Sequence, residues 1–139
     1  MTSPGIFRVR SVSRDEALGF LEKARQSIMT AEDALSKKNY HSASQEAIHG
    51  AISANDAALG LVFGIVPDSL NHNDAIGVFR QRFTSKEDLD YSKYLTRLIT
   101  KRRLVMYEGR LETSTVASGM VRDAKLFLSW VEDKTEALQ

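Results

Sequence analysis

The chain has no cysteine, only two prolines and one tryptophan, and a formal net charge of +1, and each scarcity removes a class of function. Without cysteine there is no disulfide, no thiolate metal site and no thiol nucleophile. That absence is compatible with a reducing compartment, and a cytoplasmic location is expected. Nineteen basic residues stand against 18 acidic ones, so the molecule as a whole is not built to neutralise a run of phosphates. Any nucleic-acid contact has to come from a local patch. The longest apolar run, Ala57 to Val66, is bounded by Asp56 and Pro67. It is far short of the roughly 20 residues a bilayer requires, and no membrane span is expected. The opening MTSPGIFRVRSVSR lacks a continuous apolar segment and a small-residue cleavage site, so it does not read as a secretory signal. His41, His49 and His72 include no pair at the helical ligand spacing of four, which leaves metal binding unsupported. No Gly-rich phosphate loop and no nucleophile elbow occurs, so neither a cofactor nor classical hydrolase chemistry is expected.

What is present is an ordinary globular composition, 42 % apolar and 27 % charged over 139 residues, enough for one core and one domain. Residues 1–12 read as a loose or locally docked arm and 13–139 as a single helical bundle. From Ala17 the stripe Ala17, Leu21, Ala24, Ile28, Ala31 and Leu35 predicts an amphipathic helix over about Asp15 to Lys37, with Ser13 and Glu16 as its capping box. The segment from about Tyr40 to Phe63 is crowded with alanine and carries Gly50 and Gly60. Glycine inside a helix costs about 1 kcal/mol relative to alanine, so these positions point to close backbone approach and to a central helix. A loop, PDSLNHND, leads to a short helix over about Asn73 to Phe83. Longer helices follow over about Lys86 to Tyr107 and Thr115 to Thr135. Leu89, Leu95, Leu98, Ile99, Val105 and Met106 are the core candidates of the former, and Val116, Met120, Ala124, Phe127, Leu128 and Val131 those of the latter. FRVRSVS alternates like a strand but is too isolated to build a sheet. The expected fold is all-α, an up-and-down antiparallel bundle of four long helices plus one short helix.

The segment YSKYLTRLITKRRLVMYEGR holds the residues best suited to binding. Arg97, Lys101, Arg102 and Arg103 offer donors for phosphate, with Tyr107 one turn beyond Arg103 for stacking or hydrogen bonding. His72, in the loop NHND, is a further candidate for a phosphate contact. The plainer reading is that the arginines complement a helix C-terminus, pair with Glu108 or Glu87, and leave the tyrosines to pack. Asp88 and Asp90 read as charges near a helix N-terminus, not as an acid–base pair.

Taken in order, the features resemble the HEPN family. These are an opening amphipathic helix, the alanine-rich KKNYHSASQEAIHGAISANDAAL, a loop with His72, the short GVFRQRF helix, the basic helix ending RRLVMYE, and a closing helix with AKLFLSWVED, covering about Leu21 to Asp133. Many members carry an arginine, four to six residues and then a histidine near the end of the fourth helix, forming a ribonuclease site across a homodimer. Here Arg102 is followed after four residues by Tyr107, and Lys101 by Met106. Neither register ends in histidine, and a tyrosine of pKa near 10 is a poor base at neutral pH. Other members keep the arginine and tyrosine and resemble non-catalytic partners of small nucleotidyltransferases or nucleotide-binding modules. The resemblance therefore implies a phosphate-facing Arg102 with Tyr107 lining the same groove and Arg97, Lys101, Arg103 and His72 at its rim. It implies a homodimer that binds a nucleotide, RNA or a nucleotidyltransferase, in the setting of a toxin–antitoxin or defence system.

Two competing functions remain at this level. One is a metal-independent ribonuclease toxin in which Tyr107 or His72 replaces the missing base. The other is a non-catalytic oligomerisation scaffold that associates through apolar surface positions such as Trp130.

Overall fold

Ser13 opens the first helix by accepting the Glu16 N–H on its Oγ at 3.1 Å, which satisfies one of the donors a helix start leaves orphaned. The computed structural model describes residues 6–107, 109 and 111–139, apart from the side chains of Met106 and Tyr107. The Glu16 carboxylate reaches outward to Arg10 at 3.4 Å. Helix α1 spans Arg14–Ser36 and ends at Lys38, which adopts a left-handed φ of 62°. That turn lets the Asn39 N–H reach the Ala34 carbonyl at 2.8 Å and delivers the chain into α2, Tyr40–Phe63. Gly64, with φ 71°, ends α2 by donating its N–H to the Gly60 carbonyl.

Against the expectation that FRVRSVS is too isolated for a sheet, β1 (Val9–Ser11) pairs antiparallel with β2 (Ile65–Pro67), Arg10 opposite Val66. The reversal at Gly64 lays an extended segment beside the arm. The Asp68 N–H closes the ladder on the Arg8 carbonyl at 2.8 Å. Helices α3 (Asn73–Arg82), α4 (Lys86–Tyr107) and α5 (Ser114–Thr135) follow, with a final 3-10 turn over Glu136–Leu138. No helix of the described residues is long and apolar enough to cross a membrane.

The helices form the expected all-α bundle. Ion pairs fix the directions: Glu32 meets Lys125 at 3.3 Å and Arg25 meets Glu132 at 3.7 Å, so α1 and α5 run antiparallel. Asp88 meets Lys134 at 3.0 Å and Arg97 meets Asp123 at 3.8 Å, which does the same for α4 and α5. Helix α2 touches all four other helices and is the central element. Its glycines account for that closeness. A Cβ at Gly60 would stand 2.8 Å from the Ala17 Cβ, and one at Gly50 would stand 2.6 Å from Ile28 Cγ1.

Alanines supply little volume, and aromatic rings fill the end of the bundle where α3 lies. Trp130 of α5 is ringed by Phe79 and Phe83, each with centroids 5.3 Å away, and by Tyr91 of α4, stacked at 5.8 Å. Such pairs contribute about 0.5–1.5 kcal/mol each beyond their buried area. Trp130 is therefore core, not the surface position the scaffold reading required. Leu89 and Val116, expected inside, are instead exposed in the first turns of their helices. Asp88, expected as a helix-start charge alone, is also buried and tied to Lys134.

Two consequences are measurable. Gly60→Ala should cost about 1–3 kcal/mol through overpacking against rigid Ala17, despite the helix-propensity gain. Gly19→Ala, where a Cβ meets nothing within 4 Å, should stabilise by about 1 kcal/mol. Urea midpoints of the two variants shifting in the same direction would contradict this packing. The second consequence concerns Asp56 of α2, whose carboxyl burial pushes up from 3.8 to about 7, with the Arg10 guanidinium only partly opposing it. A raised native value means stability is fully present below the ordinary carboxyl range and is lost as pH rises through about 7. Asp56→Asn should flatten that decline and exceed the wild type in stability above the upper limit, as read by denaturant unfolding across pH.

Candidate functional site

Helix α4 carries three kinds of surface in its C-terminal half. Leu98, Ile99 and Val105 are buried in the core. At 100° per residue the intervening cations are sent in different directions. Arg102 and Arg103 turn toward the loop that precedes α3, Arg102 half-buried and Arg103 exposed.

That loop is shaped by its own polar side chains. Ser69 Oγ donates to the Asp74 carboxylate at 2.7 Å and accepts the Asn71 N–H at 3.1 Å. Asn71 Oδ1 accepts the Asn73 N–H at 3.0 Å, an Asx turn that leads into α3. Buried Asn55 of α2 donates to the Ala75 carbonyl at 3.4 Å and holds the first turn of α3 against the core. Further along, Arg80 Nη2 donates to Thr96 Oγ1 of α4 at 3.4 Å. The outcome is a cleft of about 300 Å³ with Leu70, Asn71, His72 and Asn73 on one wall and Ile99, Thr100, Arg102 and Arg103 on the other.

His72 is half-buried in this cleft, and its pKa is lowered from 6.5 by burial first, then by the charge of Arg102 and by His49. It is accordingly neutral at pH 7, able both to donate and to accept a hydrogen bond. No carboxylate lines the cleft among the described residues. Two guanidinium groups, a neutral imidazole, two carboxamides and a hydroxyl make a surface fitted to oxyanions, phosphate above all.

Of the six residues singled out from the sequence, the cleft unites His72, Arg102 and Arg103. Arg97 lies elsewhere: its Nη1 is 3.8 Å from the buried Asp123 carboxylate, and its guanidinium sits 5.8 Å from the Tyr94 ring centroid. Lys101 lines a different cleft with Leu104, Glu112 and Met120, between α4 and the start of α5. The Tyr107 side chain and Glu108 lie outside the described residues. Asn71, Asn73 and Thr100 were not singled out, although the two asparagines flanking His72 are a visible loop signal. Asp123, buried on α5 between Arg122 and Ala124, carried none.

A comparison with protein-family models finds no match, and no curated protein is significantly similar to the chain.

Arg97→Ala should therefore act on stability and not on the cleft. Leaving the buried Asp123 carboxylate to the more distant, exposed Arg122 guanidinium at 4.0 Å should cost about 1 kcal/mol in denaturant unfolding. The His72 titration followed by NMR should stay unchanged. A moved His72 pKa would show that Arg97 belongs electrostatically to the cleft.

Proposed function

We propose that the protein is a HEPN-type helical module that binds the phosphate of a nucleotide or RNA in the cleft between the α3 loop and α4. The observation that carries this reading is the convergence of Arg102, Arg103 and His72 in a cleft that none of the described carboxylates lines, on an otherwise neutral protein. Homodimerisation and a nucleotidyltransferase partner belong to the same proposal through the resemblance alone.

The test is a thermal-shift titration with ATP, GTP and a short single-stranded RNA. A ligand that binds only the folded state stabilises it by about 2.7 kcal/mol at a hundredfold excess over Kd. Arg103→Glu, at an exposed position that cannot harm the core, should abolish the shift. Persistence of the full shift in that variant would remove the cleft from the function.

The pH dependence has a definite sign. The free cleft holds the His72 pKa below 6.5, and a bound anion favours the imidazolium, so binding takes up a proton. Affinity should rise as pH falls from about 8 toward about 7, above the range where a phosphate monoester itself takes up a proton, and His72→Gln should lose that slope while retaining binding above about pH 7.5.

A second reading has one observation in its favour. A histidine with a lowered pKa beside an arginine is the pairing that general-base RNA cleavage requires, and here His72 would stand in for the absent motif histidine. It predicts cleavage without added metal, abolished by His72→Ala. Intact RNA after prolonged incubation with wild-type protein would eliminate it.

A further inference from the structure

Resting on the phosphate reading of the α3–α4 cleft, we infer that the group recognised there is a terminal phosphate monoester, carried by a mononucleotide or by an RNA end, and that the cleft reads neither the base nor a continuous strand.

The separation of the basic residues is the first ground. A groove that follows single-stranded nucleic acid needs cations in a row with aromatic faces between them. In the sequence α4 offers such a row. The fold breaks it: Arg97 turns to Asp123, Lys101 opens into the cleft beside Glu112, and only Arg102 and Arg103 remain on the side of His72. Among the described residues the positive charge on this side of α4 is gathered at one point, not drawn out along a path.

The lining is the second ground. Apart from the Leu70 and Ile99 side chains it is polar, and among the described residues no Phe, Tyr or Trp faces the cleft. Tyr91 and Tyr94 of the helix are occupied elsewhere, Tyr91 on Trp130 and Tyr94 beside Tyr91. Bases are held in proteins by stacking and by edge hydrogen bonds, and none of the described side chains of the cleft is a platform for the former. Its volume of about 300 Å³ stands at the lower limit of ligand pockets, suited to a phosphate with part of its sugar.

The third ground is the kind of donor. The Asn73, Asp74 and Ala75 N–H groups at the start of α3 are already given to Asn71 and His72 within the loop. Recognition therefore falls to side chains. Two adjacent guanidinium groups present charged donors in number, which favours the dianion of a monoester over the single charge of a diester.

Calorimetric titrations of the full chain decide the matter with adenosine, the four nucleoside monophosphates, ribose 5-phosphate, cyclic AMP, and one short RNA with and without a terminal phosphate. The four monophosphates and ribose 5-phosphate should bind within about threefold of one another, and cyclic AMP should bind at least about tenfold more weakly. Adenosine should not bind. The terminal phosphate should strengthen RNA binding by about tenfold or more, and Arg103→Glu should erase that increment. Mononucleotide binding that RNA ends cannot match would assign the small ligand as the source; the converse would assign the RNA end, and both support the monoester. Cyclic AMP binding as well as AMP, a strong preference among bases, or silence from ribose 5-phosphate would overturn it. RNA binding that Arg103→Glu abolishes but the terminal phosphate does not affect would overturn this inference while leaving the phosphate reading intact. Absence of binding by every ligand would end both.

Discussion

The bundle depends on the near absence of side-chain bulk along α2. Ala43, Ala47, Ala51, Ala54, Ala57 and Ala58 are fully buried, and Gly50 and Gly60 let α1 approach to the distance of a single missing Cβ. Alanines bury little apolar area, so α2 brings only modest transfer free energy of its own. It brings a surface flat enough for neighbours with larger residues to close upon: Leu21 and Ile28 from α1, Met120 and Phe127 from α5. Apart from exposed positions such as His41, Ser42 and His49, the helix is packed closely against its neighbours, which leaves it little room to move.

Volume and charge are then distributed toward opposite ends of α3. Its C-terminal half anchors in the aromatic cluster through Phe79, with Phe83 just beyond the helix. Its N-terminal half is held by the Asn55 contact to Ala75 and by hydrogen bonds internal to the loop. The same short helix is thus clamped at one end and presents a polar loop at the other. A loop on a rigid scaffold is where binding residues can be placed without disturbing the core.

Much of this was legible in the sequence because the punctuation is local. Lys38 and Asn39, then Gly64 and Pro67, bracket α2, and its observed bounds coincide with those the composition predicts. The all-α bundle follows from the long amphipathic stripes. Trp130 was not legible, because its burial is decided by α3 folding across it from fifty residues away in the chain. The β1–β2 ladder was not legible for the same reason: each strand is three residues long and meaningless without the other. The basic cluster of α4 was half legible. Its composition announced a site, but composition does not say on which face each cation emerges, and a buried aspartate on another helix determines where Arg97 goes.

That last point explains how a chain with a net charge of +1 produces a cationic cleft. Among the described residues, several acidic groups are engaged by partners outside the cleft lining: Asp88 by Lys134, Asp123 by Arg97, Glu32 by Lys125, Asp74 by Ser69. None of them lines the space between the α3 loop and α4. Two adjacent arginines would make a third permanent cation unwelcome, and burial together with Arg102 keeps His72 neutral. The imidazole can therefore offer a donor to the cleft without adding a third positive charge. An anion placed beside the imidazole would offset the burial and the Arg102 charge that lower its pKa, and would favour its protonation.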